Sequence, residues 1–115
     1  MSNDECTIER IGNILADENA RQILIHTSQE PMSADSLSTA VGASTPTIYR
    51  RLEEMRECEL LVEGTQLDTE AGHHRTVYGT NLQRIIVELA ESEFEFECAF
   101  REPMADRFTR LIEEM

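Results

Sequence analysis

The feature that most constrains the fold is a change in the spacing of apolar residues partway along the chain. Up to Met55 they recur every three or four positions, as in Ile8, Ile11 and Leu15, which is the spacing of one face of an α-helix. From Leu60 onward they occur in short runs and at alternate positions, which is typical of β-strands. The sequence therefore predicts an α+β domain with helices first and strands after them.

Cap residues divide the first half of the chain into short helices. Side chains suited to an N-terminal cap stand before three apolar segments, at Asp17, Ser33 and Ser44. Gly42 lies where a helix would end in a left-handed conformation. We predict three to four helices, over about 6–16, 17–29, 33–41 and 44–57. The last two, joined by a glycine-containing turn of about three residues, have the pattern of a helix-turn-helix.

The second half is predicted to contain two hairpins and a final helix. Strands at 60–67 and 75–81, separated by the polar turn 68–74, are the expected wing of a winged helix-turn-helix spanning 1–81. Alternation of phenylalanine and valine with glutamate predicts two more strands joined near Glu91. Pro103 opens a predicted terminal helix with an apolar stripe. We expect 82–115 to pack on the same domain and, with the first helix, to form a homodimer contact, the alternative being that the tail folds back on its own core.

The charge distribution points to DNA. The chain has 23 acids and 10 bases, all arginine, for a net charge of −13, which we interpret as an adaptation to high salt rather than as a site for basic ligands. The stretch from 36 to 52 nevertheless contains no acid and ends in Arg50 and Arg51. A protein that binds a polyanion must clear carboxylates from the contact surface, so this gap predicts a nucleic-acid face.

The predicted DNA contacts come from the second helix of the helix-turn-helix and from the wing. An arginine there can donate two hydrogen bonds to guanine, and threonine or tyrosine can reach a phosphate or a thymine methyl group. The competing interpretations are a helix pair that only packs and, for the two histidines, plain exposure or a metal. The predicted residues are Ser44, Thr45, Pro46, Thr47, Tyr49, Arg50, Arg51, His73, His74 and Arg75.

The remaining patterns exclude several classes. Cys6, Cys58 and Cys98 are odd in number and include no C-x-x-C pair, so we expect reduced thiols, with Cys58 either a redox sensor or a small buried hydrophobe. No catalytic, metal-binding or phosphate-loop motif stands out, so neither an enzyme nor a cofactor is expected. Without an apolar span or a signal sequence, we expect a soluble, cytoplasmic protein that does not enter membranes.

The region from Ala20 to Asn81, and most specifically its segments STPTIYRRLEEM and GHHRTVY, resembles the small winged helix-turn-helix transcriptional regulators of haloarchaea, ArsR-like in architecture. The resemblance implies a dimeric, cytoplasmic protein that binds double-stranded DNA. Metal-sensing ArsR proteins carry paired cysteines in the helix before the recognition helix, and residues 35–42 have none. The expected function is sequence-specific transcriptional regulation, and the alternative is a winged-helix module that contacts other proteins in a larger assembly.

Overall fold

The structure is a computed structural model that describes residues 6–68 and 72–101 of the 115-residue chain. Within these residues four helices precede four strands, and the strands form two antiparallel hairpins, which confirms the predicted α+β class. The terminal helix expected from Pro103 lies outside the described residues. The elements are α1 (Ile8–Ala16), α2 (Glu18–Gln29), α3 (Ala34–Val41), α4 (Thr45–Glu57), β1 (Leu61–Asp68), β2 (His73–Thr80), β3 (Leu82–Leu89) and β4 (Phe94–Phe100).

The helices begin where the cap residues indicate. The side chains of Asp17, Ser33 and Ser44 each accept a hydrogen bond from the backbone N–H three residues later, at 2.8 to 3.3 Å. Gly42 ends α3 with a φ of 81°, a left-handed conformation that glycine adopts without strain. The first helix starts at Ile8 with Thr7 as its cap, two residues later than predicted from the apolar spacing.

One apolar core lies among the helices and the first hairpin. Each helix contributes the residues of one face, because only positions three or four apart point the same way. No helix in the described part of the chain is long and apolar enough to cross a membrane. The most deeply buried side chains are Ile11, Ile23, Leu37, Ile48, Leu52, Met55, Leu60, Val62 and Val77.

The β1–β2 hairpin is attached to α2 and to the loop that follows it. Met32, in that loop, exchanges two backbone hydrogen bonds with Tyr78 at 2.9 and 3.1 Å, so the loop runs along β2 as a bridge that the sequence did not predict. The two strands of the hairpin also extend further toward its turn than predicted. His73 and His74 belong to β2 instead of the turn, since they pair in register with the end of β1.

The β3–β4 hairpin contacts the core only near its base. Ile85, Phe96 and Cys98 pack against the core and are half-buried, whereas Leu89 and Phe94, a cross-strand pair near the turn, are 72% and 61% exposed. Register places all five side chains on one face, because paired residues and alternate residues of a strand share a face. This apolar face is therefore covered at one end and open at the other.

The expectation of three reduced thiols is wrong for two of them. Cys6, just before α1, forms a disulfide with Cys58, the residue that ends α4. Their α-carbons are 5.0 Å apart, within the range that a disulfide spans. Cys98 is free. The sequence argument failed because it looked for pairs close in sequence, and these two residues are 52 positions apart.

Candidate nucleic-acid interface

Helix α4 has one face in the core and one in solvent. Ile48, Leu52 and Met55 are buried, which fixes the rotation of the helix, and Tyr49 and Arg50 lie on the opposite, exposed face. Of the other predicted contact residues in this helix, Ser44 and Pro46 are exposed and Thr45 and Thr47 are half-buried. The acid-free surface thus includes the beginning of α4.

The N-terminus of α4 carries no acidic residue in its first turn. Ser44 accepts a hydrogen bond from the Thr47 N–H at 3.3 Å and donates one to the Thr47 hydroxyl at 3.0 Å, so both side chains are held at the helix end. Pro46 occupies the first turn of α4, where backbone N–H groups have no acceptor within the helix. The N–H that proline lacks therefore costs the helix no hydrogen bond. The partial positive charge of this helix end is consequently unopposed by a carboxylate in the first turn of the helix.

Arg50 and Arg51 lie in different environments although they are adjacent in sequence. The Arg50 side chain is exposed, and its guanidinium makes no hydrogen bond or ion pair with another described residue. Arg51 is turned toward α2, where its Nε donates to Asp17 Oδ2 at 2.9 Å and one terminal nitrogen lies 3.4 Å from Glu54. Of the three arginines in α4, Arg50 alone has no ion-pair partner among the residues that the structure describes.

The Arg51–Asp17 ion pair perturbs both groups. Burial disfavours the Asp17 carboxylate, but the Ala20 N–H and the Arg51 guanidinium outweigh it, so the pKa of Asp17 lies below its usual value. The hydrogen bond to Asp17 raises the pKa of Arg51. Asp17 Oδ2 accepts from both donors at once, so one carboxylate caps α2 and holds α4 against it. Arg51 therefore has a structural role in the packing of two helices.

The second strand brings Arg75 to the same side as Tyr49 of α4. His74 and Arg75 are exposed, and the guanidinium of Arg75 has no ion-pair or hydrogen-bond partner within the described residues. The side chain of His73 lies outside the described residues. Arg75 and Tyr49 line a common groove between β2, α4 and the start of α3. The groove is lined by Ser33, Ala34, Asp35, Tyr49, Arg75, Thr76 and Tyr78.

Five of the groove residues were not predicted from the sequence, among them Asp35 and Tyr78. Asp35 borders the acid-free stretch, and the start of α3 places it in the groove beside the predicted contact residues. Tyr78 is buried at the base, and burial raises the pKa of its hydroxyl. No local signal could have indicated either residue, because the groove joins three segments that are distant in sequence.

Metal binding at the adjacent histidines has no support among the residues that the structure describes. No group of three or more histidine, cysteine, aspartate or glutamate side chains there is placed to hold an ion. His74 is exposed on β2, and the next residue, Arg75, points to the opposite face of the strand.

No protein-family model matches this sequence, and comparison with curated proteins finds no significant match. The function is consequently argued from the geometry of the groove and of α4.

Proposed function

We propose that this protein is a sequence-specific transcriptional regulator that binds double-stranded DNA as a homodimer in high salt, through a winged helix-turn-helix. In this proposal α3 and α4 are the helix-turn-helix, α4 is the recognition helix and the β1–β2 hairpin is the wing. The observation that carries the proposal is a pair of exposed guanidinium groups, Arg50 on α4 and Arg75 on β2, that have no ion-pair partner among the described residues. They lie on the side of the molecule where α4 begins, and the first turn of α4 contains no acidic residue.

The order and connections of the elements support this assignment. A turn of Gly42–Ser44 joins α3 to α4, and the left-handed glycine with the serine cap allows the sharp change of direction that the motif needs. The hairpin follows α4 directly and is attached to the core by the Met32–Tyr78 bridge. Recognition helix and wing are thus held on one rigid body, as sequence reading by a winged helix requires.

Each part of the surface has a distinct task in the proposal. Arg50 lies on the exposed face near the start of α4, where a major-groove helix contacts base edges, and it can donate to guanine O6 and N7. Ser44, Thr45 and Thr47 at the helix N-terminus suit a phosphate. On the wing, exposed Arg75 faces the groove and suits the backbone of the flanking DNA, whereas exposed His74 lies on the opposite face of the strand.

The experiment is selection from a genomic DNA library in concentrated KCl, followed by binding measurements with two variants. Arg50→Ala should weaken binding of the selected site by about 1–3 kcal/mol and relax its base preference. Arg84→Ala, which removes an exposed arginine of β3 away from the groove, is the charge-matched control and should bind as the wild type does. Equal retention of all library sequences, or equal losses in both variants, would contradict the proposal.

The second candidate is a winged-helix module that binds a protein. The open apolar face around Leu89 and Phe94 favours it, because a face of that kind is commonly covered by another protein. The carboxylate of Asp35 in the groove also fits a basic peptide better than a phosphate. Co-purification of a protein partner together with no selected DNA sequence would support this alternative.

A further inference from the structure

The disulfide joins two helices that other contacts already hold together. Cys6 precedes α1 and Cys58 ends α4, and an ion pair between Arg10 and Glu57 links the same two helices beside them. Ile11 of α1 is buried in the core next to these groups. Because these contacts do not depend on the sulfur–sulfur bond, the two thiols stay neighbours after reduction. The bond can therefore open and close repeatedly.

We propose that Cys6 and Cys58 are a reversible modification site. A peroxide oxidises the two thiols to the disulfide, and a dithiol reductant of the cell reduces the disulfide again. The redox state of the pair controls how firmly α1 is attached to α4. The inference rests on the proposed function in one respect. A DNA-binding regulator works inside the cell, where disulfides are usually transient and redox-sensing.

The two sulfurs have different parts in the reaction. Cys6 is half-buried and Cys58 only 4% exposed, so Cys6 is the more accessible of the two to peroxide. The Cys6 thiolate attacks a peroxide oxygen, the O–O bond breaks, and Cys6 becomes a sulfenic acid while the second oxygen leaves as water after protonation. The Cys58 thiolate then attacks the Cys6 sulfur and displaces hydroxide, which is protonated to a second water.

The reaction balances without any other group. Two thiols and one hydrogen peroxide become one disulfide and two waters, and two electrons pass from the sulfurs to the peroxide. In the reverse direction a dithiol reductant supplies two electrons and two protons, and itself becomes a disulfide.

Reduction should loosen α1 and leave α4 in place. The side chains that anchor α4, namely Ile48, Leu52 and Met55, are almost completely buried, whereas α1 has only Ile11 and Ile14 buried among its nine residues. Cys58 is also about two turns beyond Arg50, since the eight positions from Arg50 to Cys58 rise about 12 Å along the helix. The switch therefore acts on the attachment of α1 and not by turning the recognition helix.

Cys98 provides an internal comparison. It is half-buried against the core on β4, and burial raises the pKa of its thiol, which lowers the fraction of reactive thiolate. Cys98→Ser leaves the Cys6–Cys58 pair as the only cysteines in the sequence. This variant is the background for the test.

The test compares Cys98→Ser protein treated with hydrogen peroxide or with dithiothreitol, in concentrated KCl. Thiol labelling with mass spectrometry should find no free thiol after peroxide and two after dithiothreitol. Hydrogen exchange at the amides of Ile11 to Ala16 should be about tenfold faster or more in the reduced protein, while amides from Ile48 to Met55 stay equally protected. Equal exchange of α1 in both states, or peroxide that leaves two thiols or a sulfinic acid, would overturn the proposal.

Two further measurements distinguish a failure of the redox proposal from a failure of the proposed DNA-binding function. The double variant Cys58→Ser, Cys98→Ser should exchange like the reduced protein with or without peroxide; if it does not fold, the reduced Cys98→Ser protein already supplies that comparison. DNA binding is measured on the same samples. Absence of binding in both redox states would contradict the proposed function while leaving the result for α1 unaffected.

Discussion

Arg50 and Arg51 show how far one position along a helix changes the role of a residue. Successive side chains are rotated by about 100°, so with Ile48 in the core Arg50 points to solvent and Arg51 to the neighbouring helix. The acid-free interval in the sequence therefore has one free cation at its end and one engaged by Asp17. We expect the two residues to differ under mutation, Arg50 affecting binding and Arg51 affecting stability.

The Asp17–Arg51 pair predicts a pH dependence of stability. Because the pKa of Asp17 is lowered on folding, its contribution is complete above the ordinary value of 3.8 and is lost as the pH falls below it. Asn caps a helix as well as Asp does, so Asp17→Asn removes the charge and keeps the cap. We expect this variant to be less stable by about 0.5–1 kcal/mol at pH 7, with the difference vanishing below pH 3.8 in chemical denaturation.

Glu53→Gln is the control for that experiment. Glu53 is exposed on the same helix as Arg51, and its neutralisation should change the free energy of unfolding by less than about 0.5 kcal/mol. A difference between wild type and Asp17→Asn that persists unchanged below pH 3 would show that the carboxylate charge is not responsible.

We predict that neutralising Asp35 increases the affinity of the protein for DNA. Its carboxylate lines the groove between Tyr49 and Arg75, where a phosphate backbone would be repelled. Asp35→Asn should tighten DNA binding about threefold to tenfold. The removal of one negative charge beside the phosphate backbone should change the affinity about as much as one ordinary charge contact to a phosphate does. Glu88→Gln, on the distant β3–β4 hairpin, removes the same charge as a control and should have little effect. Weaker DNA binding by the Asp35→Asn variant would show that the DNA does not lie along this groove.

At the scale of elements, the β1–β2 hairpin is positioned by buried polar contacts as well as by apolar packing. The Thr27 hydroxyl of α2 and the Thr80 hydroxyl of β2 are 2.6 Å apart, and each also lies within hydrogen-bonding distance of a carbonyl oxygen of α2. Because each hydroxyl has one proton, one threonine donates to the other and the second donates to a carbonyl oxygen. Both threonines are almost completely buried. A hydroxyl pair of this kind fixes the strand along the helix, because any sliding leaves a buried polar group without a partner.

Thr27→Val tests this contact. Valine keeps the shape and the β-branch of threonine, so the loss is that of the hydrogen bonds alone, and we expect about 1–3 kcal/mol lower stability by chemical denaturation. Thr39→Val, the same exchange at an exposed position of α3, is the matched control and should stay within about 0.5 kcal/mol of the wild type. Equal stability of both variants would show that the hydroxyl pair does not position the hairpin.

At the scale of the whole molecule, the most exposed large apolar side chains among the described residues lie on the β3–β4 hairpin. The described chain measures 57 × 31 × 27 Å, and the apolar face of this hairpin is open around Leu89 and Phe94. A two-stranded hairpin is marginally stable in water, so a face of this composition favours a covering surface. The proposed homodimer supplies one by placing the same face of a second copy against it.

Leu89→Gln tests that contact by light scattering and sedimentation over a range of concentrations. If the hairpins meet in the dimer, the loss of apolar area from both copies should weaken the dimer at least about tenfold. Glu88→Gln changes the opposite face of the same strand and should leave the dimer intact. If the Leu89→Gln variant dimerises with unchanged affinity, the dimer contact lies on other elements.

The sequence by itself determined the local structure, namely the three predicted caps, the left-handed Gly42, the buried stripe of α4 and the apolar face of β3 and β4. Those features arise from interactions within about four residues, so spacing and residue type suffice to predict them. Only the tertiary structure decided the Cys6–Cys58 bond, the capture of Arg51 by Asp17, and the groove that gathers Asp35, Tyr49 and Arg75. These contacts join residues far apart in the chain, and which of them meet depends on how the helices pack, a property that no local pattern contains.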